Sequence, residues 1–519
     1  MIRRAVSDIG PVPAEWASAN WGGTAEARFR PDRDGGFFVA GGVDVVVLTE
    51  RRGVVYRHRT VLSDMQTPIG IYQAVAGRPG AFLLESAPTR QSVGRYSYIG
   101  WEPLYRLQAR DGLVRLERDG RTERRRTPAF AELRRLCERV ASPRPSDDLP
   151  PFFGGAVGYI GYDVAREFER LGKGPEDDRG LPALHFVVPR QIVAYDHVTR
   201  LSHLVVAVDG EGPDEADARL DQMERLIRRG RRAPLRPAGL PELLARSLTP
   251  AEYIDRVKLA KEAIAAGDVF QLVLSQRLAL RTGASSLEVY RALRAIDPSP
   301  YMFHLRLPGF AFYGSSPETL VRVDGRRVTI RPIAGTRPRP ARTDAVAAVA
   351  AELAADPKER AEHLMLLDLG RNDVGRVATP GSVAVRRSFA VEEYLRVLHL
   401  VSDVEGELAD GLSSLDALAA AFPAGTLTGA PKIRAMQLID ELEPVARGPY
   451  GGAAGYISAD GDLDFAIAIR SIVQVGEIAY LQSGAGIVQD SDPVREHEEC
   501  QHKLAALRQA LELAGGAGT

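Results

Sequence analysis

The run LVRVDGRRVTI, residues 320–330, alternates apolar and polar side chains on either side of Asp324-Gly325 and reads as a strand, a turn and a second strand. Short runs of the same kind recur from about Val54 to Leu116, where AFLLES, RYSYIG and LVRLE are separated by turn-forming residues. Helices are signalled between strands. Thr249-Pro250-Ala251-Glu252 places a hydroxyl at the N-cap, proline at the first helical position and Glu at N3, and Ile254, Val257 and Ile264 keep helical spacing up to a stop at Gly267. Val269 to Leu280 then alternates, with Gln271, Val273 and Ser275 on one face and Leu272, Leu274 and Leu278 on the other. Strands and helices follow one another irregularly, without a βαβ repeat, so the expected class is mixed α/β or α+β.

Two proline-rich breaks divide the 519 residues: SPRPSDDLPP at 142–151, and GRRAPLRPAGLPELL at 230–244, the better linker candidate. The expected organisation is an extension over 1–50, an N-terminal region over 51–245 and a catalytic region over 246–519. Net charge is -1, from 67 basic and 68 acidic residues, which gives no reason to expect a nucleic-acid partner or an anionic membrane surface. Two cysteines, Cys137 and Cys500, cannot build a disulfide framework or a zinc cluster, and a reducing cytoplasm is the expected compartment. No apolar h-region follows Met1-Ile2-Arg3-Arg4, and no apolar run reaches membrane-spanning length, so neither a secretory leader nor a membrane helix is expected.

Three tempting motifs fail on spacing. GTLTGAPK from Gly425 lacks the G-x-x-x-x-G-K-[ST] register of a phosphate loop, and SGAGIVQD has Gln489 where a dinucleotide fingerprint needs its third glycine. In HEECQH the histidines, His497 and His502, are five apart, which turns them about 140° from each other on a helix. A zinc-protease pair needs a spacing of four.

Acidic residues stand in costly places on two expected helices. Asp356-Pro357 opens one, where Glu359 fits N3 as a capping-box partner but Glu362 falls among Met365, Leu366 and Leu369. Asp492-Pro493 opens the other, where Glu496, Glu499 and Lys503 form a stripe beside Cys500, Leu504, Leu507 and Leu511. Each stripe taken alone reads as a solvated ion-pair ladder. Carboxylates beside a core are expensive unless paired or bound to a cation, and two such stripes without a Cys/His cluster point to a shared oxygen-ligated divalent ion, Mg²⁺.

The ordered set PSPYMFHLRL, SSPETLVRV, RPIAGTRPR, ERAEHLMLLDLGRND, HLVSDVEGEL, GTLTGAPK, YGGAAGY, AIAIRSI and SGAGIVQDSDP resembles the chorismate-utilising enzymes. With LLESAPTRQSVGRYSYIG near the N-terminus, it resembles in particular the large subunits (component I) of anthranilate synthases, over roughly residues 55–515. The resemblance implies a large sandwich of facing antiparallel sheets with helices outside and an active site in the central cleft. It implies that ammonia adds to C2 of chorismate as the C4 hydroxyl leaves, after which loss of the C2 proton and of pyruvate gives anthranilate. Mg²⁺ on the ring carboxylate would be held by Glu362 and Glu499, with Glu359 and Glu496 alongside. Arg470 and Tyr450 would bind the enolpyruvyl carboxylate, Gly484 and Gly486 would let backbone approach an anion, and Lys503 would balance the acids. Glu318 matches the general acid for the departing hydroxyl, His399 a group that positions substrate or assists proton transfer, and Thr426 and Thr336 hydroxyls of the pocket. Gln271 stands where members that add water carry a Lys base; ammonia needs no such activation.

Leu84-Glu85-Ser86 and Pro300-Tyr301-Met302 resemble the two halves of a tryptophan feedback site, with Asp297 where Asn is usual in these enzymes. No glutaminase cysteine motif is present, so the resemblance implies ammonia delivered by a separate glutamine amidotransferase subunit in a heterotetramer. RPIAGTRPR, residues 331–339, reads as a flexible, arginine-flanked wall of the chorismate pocket, with Gly335 giving close backbone approach. Ala334 precedes it. Aminodeoxychorismate synthases of this group typically carry a nucleophilic Lys there, and Ala leaves ammonia to attack directly. The alternatives are an aminodeoxychorismate or aminodeoxyisochorismate synthase, or a non-catalytic homologue that binds chorismate or tryptophan.

Overall fold

The long strands Tyr96–Arg110 and Leu184–Asp196 run antiparallel along most of their length, and their register shifts between Pro103 and Tyr105, beside Glu102 in the left-handed region at φ 56°. That bulge is where one sheet becomes two. The structure, a computed structural model, describes residues 53–86, 94–229, 238–340, 342–394 and 397–516. The expected extension over 1–50 and the linker residues 230–237 lie outside the described residues.

From Tyr98–Gly100 a first sheet continues through Phe82–Glu85, Tyr301–Leu307, Phe310–Ser316, Ser471–Val475, Ile478–Ile487 and Gln271–Arg281. Its other side carries Leu201–Val208 and Val55–Leu62. From the second half of Leu184–Asp196's partner a second sheet runs out to Leu113–Arg118 and Arg121–Arg126. In the opposite direction it crosses Gly155–Ile160, Ala453–Ser458, Leu463–Ile467, Thr319–Asp324, Arg327–Ile330 and Val397–Glu407. All these neighbours are antiparallel. The expected sandwich and the hairpin at 319–330 are therefore both present.

Aromatic residues from both sheets fill the space between them: Tyr159 of the second meets Phe312 of the first edge-on, with ring centroids 5.3 Å apart. Outside the first sheet, the helices Pro68–Val75, Pro213–Arg229, Ser286–Ile296 and Pro493–Ala514 bury Tyr72, Leu220, Tyr290 and Leu504 against it. The helices Pro357–Gly375 and Ser414–Ala421 pack outside the second. Among the described residues no helix is long and apolar enough to cross a membrane.

Local chemistry explains several boundaries. In the helix Pro250–Ala265 the Thr249 hydroxyl accepts from Glu252 N–H, and Glu252 Oε2 accepts from Thr249 N–H at 2.7 Å. Tyr253, Val257 and Ala260 turn inward, and Gly267 ends the turn at φ 85°. The segment read as a linker ends in an edge strand, Glu242–Arg246, paired with Gln271–Arg281.

RPIAGTRPR is not a flexible loop. Ile333–Pro338 is a strand paired with Val397–Glu407, and Gly335 forms a bulge in it at φ 62°. Its arginines are spent inside the protein. Arg331 bonds Glu392 and, at 2.9 Å, Asp403; Arg337 bonds Asp356 and Glu359; Arg339 bonds Glu393. Cations that looked available for a ligand are matched by acids far away in the chain, which sequence spacing does not reveal.

Candidate active site

Both acidic helices begin as read. Asp356 caps Pro357–Gly375 by accepting from Lys358 and Glu359 N–H, and Asp492 caps Pro493–Ala514 by accepting from Val494 and Arg495 N–H. His363, Leu366, Leu367 and Gly370 form the buried face of the first, with Glu362 half-buried at its edge. Burial, then the neighbouring charges of Glu359 and Glu499, hold Glu362 above the usual carboxylate range. Glu496 is raised likewise, by burial and by Glu499. The two helices therefore present their acids to one another.

Lys358 lies within reach of Glu362 and Glu496, and Lys503 is the counter-charge common to the wider set. Lys503 Nζ lies 2.7 Å from Glu499 Oε1 and donates to Gly484 O at 2.9 Å, and its field also reaches Glu362, Glu496 and Glu318. Two lysines serve four carboxylates. Such a set, rich in hard oxygen and short of positive charge, fits a divalent cation. Among the described residues no three acidic, His or Cys side chains form a ready-made cage. Glu359 is turned to Arg337 at 2.9 Å instead of making a capping box.

Glu318 sits in the link between Phe310–Ser316 of the first sheet and Thr319–Asp324 of the second, so it stands where the sheets meet. Burial pushes its carboxyl up to about 7, against the pull of a 2.9 Å hydrogen bond donated by Thr426 Oγ1 and of the Lys503 charge. A carboxylic acid that still holds its proton near neutrality is what general-acid catalysis requires. Tyr450 is buried, and burial raises its phenol. Gly484 and Gly486 lie on the strand Ile478–Ile487 opposite Ser275 and Val273. A Cβ on Gly486 would come within 2.5 Å of the Gln271 amide, so the glycine makes room for that side chain.

A second group adjoins the first through Pro317. His399 Nδ1 lies 3.2 Å from Gly335 O and 3.1 Å from Thr336 Oγ1. A carbonyl can only accept, so Nδ1 carries the proton and Nε2 keeps a lone pair. Burial lowers the affinity of His399 for a second proton, and Arg470 lowers it further. Arg470 adopts φ 49°, an uncommon conformation for a residue with a side chain, and its carbonyl accepts from Ser315 N–H at 3.0 Å. Its Nη1 donates to Asp297 Oδ2 at 3.0 Å. Neither the backbone conformation nor this partner is visible in AIAIRSI.

The six residues of the expected feedback site line one cavity of about 470 Å³, because Phe82–Glu85 and Tyr301–Leu307 are adjacent strands with Glu85 opposite Met302. Glu85 faces its own cation, accepting from Arg294 Nε at 2.8 Å and Nη2 at 3.0 Å, and from the Tyr290 hydroxyl at 2.8 Å. The sequence reading missed Asp464 in this cavity. Burial raises it to about 6, its Oδ1 is buried without a partner, and Tyr98, Tyr301 and Tyr456 surround the space. The available clue was an acid within the otherwise apolar strand LDFAI.

The chain is 46% identical over 465 residues to an anthranilate synthase component 1 from Thermus thermophilus, an alignment covering 88% of this chain and 97% of that one. The crystal structure of anthranilate synthase component I from Streptococcus pneumoniae TIGR4 superposes with a TM-score of 0.72 at 36% identity, covering 80% of this chain and 92% of that one. A menaquinone-specific isochorismate synthase from Escherichia coli shares the fold at 20% identity, with a TM-score of 0.67 over 88% of this chain and 95% of that one. The sequence profile described as chorismate binding enzyme matches residues 79–509, which include Glu362, Glu496, Glu499, Glu318, His399 and Arg470, and the chain belongs to that family.

Proposed function

We propose that this protein converts chorismate and ammonia to anthranilate and pyruvate. The observation that carries this reading is Glu318: a half-buried acid raised to about 7, bonded by Thr426, within the field of a lysine that also serves the facing carboxylates. In this reading Glu318 gives its proton to the C4 hydroxyl as it leaves, while ammonia forms its bond at C2. His399, neutral with a lone pair on Nε2, is suited to take the C2 proton as the ring aromatises and pyruvate departs. Arg470 and Tyr450 hold the enolpyruvyl carboxylate, Thr336 and Gly335 form the adjoining wall, and Gly484 and Gly486 admit the ring carboxylate close to backbone. Glu362 and Glu499, with Glu359 and Glu496 alongside, would hold Mg²⁺, whose positive charge would neutralise that carboxylate.

Ala334 and Gln271 favour this product over its relatives. Ala334 is buried in the strand Ile333–Pro338 and offers no nucleophile for a covalent route, and Gln271 is no base for activating water. Neither cysteine is a glutaminase nucleophile. Burial pushes Cys137 up to about 12 and raises Cys500, which shares a hydrogen bond with Tyr253. Ammonia therefore comes from a separate glutamine amidotransferase subunit, in a cytoplasmic heterotetramer. The 470 Å³ cavity, with its tyrosines and the bare Asp464 oxygen, suits an aromatic amino acid, and tryptophan as end-product inhibitor is the reading that fits.

The test is direct. Incubation with chorismate, Mg²⁺ and ammonium should release fluorescent anthranilate and pyruvate in equal amounts, suppressed by tryptophan. Formation of aminodeoxychorismate or isochorismate instead, or efficient glutamine use by this chain alone, would refute the proposal.

A further inference from the structure

Arg470 and His399 border a small cavity of about 40 Å³, closed by Asp297, Ser299, Pro317 and Tyr394. That space admits little more than a water molecule. The group that fills the cationic side is the Asp297 carboxylate, 3.0 Å from Arg470 Nη1, with Arg470 and Asp297 side chains 32% and 21% exposed. We infer that Asp297 is a built-in competitor for Arg470, and that the enolpyruvyl carboxylate binds only as Asp297 swings aside. This rests on the reading of Arg470 as the group that receives that carboxylate.

Three features of the surroundings make the swing a side-chain event. Asp297 ends the helix Ser286–Ile296, and its N–H bonds Leu293 O at 2.8 Å. Its carbonyl is bonded by the Ser315 hydroxyl, and the neighbouring Ser315 N–H is bonded to Arg470 O. Main chain is thus fixed on both sides of the ion pair, while the carboxylate itself is joined only to Arg470 among the described contacts. Arg470 in turn is held in its left-handed conformation, which fixes the direction in which its side chain leaves the main chain, while the guanidinium itself is aimed by the carboxylate it bonds. Two carboxylates cannot share one guanidinium face in a space of this size without repulsion. Asp297 therefore acts as a positioning residue: it keeps Arg470 aimed in the empty site at the expense of substrate affinity.

Asn is the discriminating substitution, because its amide oxygen still accepts from Arg470 but carries no charge. With ammonium and Mg²⁺, Asp297→Asn should lower KM for chorismate about fivefold, the scale of a partly exposed ion pair, with the gain in KM and not in kcat. Asp297→Ala, which loses the aiming contact as well, should gain less than Asn. Arg470→Gln should raise KM, and adding Asp297→Asn to Arg470→Gln should give no gain. A KM in Asp297→Asn equal to or above wild type, with Arg470→Gln still raising KM, overturns the competition while sparing the role of Arg470. An unchanged KM in Arg470→Gln overturns both. Thermal melts of each variant separate these outcomes from misfolding.

Discussion

Glu85, buried, and Glu318, half-buried, both stand on the rim of a cavity, and the protein treats them oppositely. Glu85 has Arg294 and Tyr290 to itself, three bonds of 2.8 to 3.0 Å on its two oxygens. Glu318 has one hydroxyl, Thr426, and a distant share of Lys503, and is pushed up to about 7. A fully paired carboxylate is a structural and recognition element. An under-paired one keeps a proton in play. The same contrast separates Glu359, matched by Arg337, from Glu362 and Glu496, which are raised by burial and by their acidic neighbours.

Removing the titrating group gives the largest expected effect. Glu318→Gln should cut kcat by about three orders of magnitude, within the range for loss of a general acid. Wild-type turnover should decline as pH rises through about 7, where Glu318 loses its proton, and the variant should lack that limb. The same substitution should stabilise the fold. The folded-state value lies above the ordinary 4.5, so the folded protein holds an extra proton between the two and loses stability as pH rises across that window. At pH 8 Glu318→Gln should gain about 2–3 kcal/mol over wild type, and little at pH 4.5 or below. Denaturant melts at the two pH values check this; equal stabilities at pH 8 would erase the distinction between Glu318 and Glu85.

The acids facing one another across the two helices come next. Glu362→Gln or Glu499→Gln should lower Mg²⁺-supported turnover by about two orders of magnitude, since a bound dication is worth several kcal/mol to developing charge. Mg²⁺ should also raise the melting temperature of wild type more than that of either variant. Equal Mg²⁺ responses in a thermal shift assay would assign the stripe to ordinary ion pairing.

Glu85→Gln tests the paired side. Uninhibited turnover should stay within about twofold of wild type, while the tryptophan concentration for half inhibition rises at least about tenfold, or roughly 1.4 kcal/mol. Stability should fall by about 1–2 kcal/mol, a modest figure because Arg294 keeps 35% of its side chain in solvent. Loss of turnover would place Glu85 in the wrong category.

What the sequence made legible was local. A capping box lies within four residues, a hairpin within eleven, and a half-buried acid within one helical turn of the leucines beside it. The hairpin at 319–330, the helix after Thr249 and the two Asp-Pro helix starts are all present. What escaped depends on pairing between distant segments. RPIAGTRPR looked flexible because its partner strand lies some sixty residues away and the acids that meet its arginines lie on other elements. Asp464 was invisible until three tyrosines and Arg322 closed around it, and Asp297 met Arg470 only through the sheet that joins Tyr301–Leu307, Phe310–Ser316 and Ser471–Val475.

The finest test of the contrast alters Glu318 without touching it. Thr426 Oγ1 donates to Glu318 Oε1 at 2.9 Å, and a bond to the charged form draws the carboxyl down. Thr426→Val keeps the shape and removes the donor, so Glu318 should titrate higher still. The alkaline decline of turnover should then move upward, by about half a unit to one unit, corresponding to roughly 1 kcal/mol for one hydrogen bond to a carboxylate. Turnover near pH 6, where Glu318 is protonated in either protein, should change only a few-fold through loss of the pocket hydroxyl. At pH 8.5 the ratio of variant to wild type should be higher than at pH 6. A decline that stays at the same pH would mean that Thr426 orients substrate alone, and that burial, without any contribution from this hydroxyl, sets the proton affinity of Glu318.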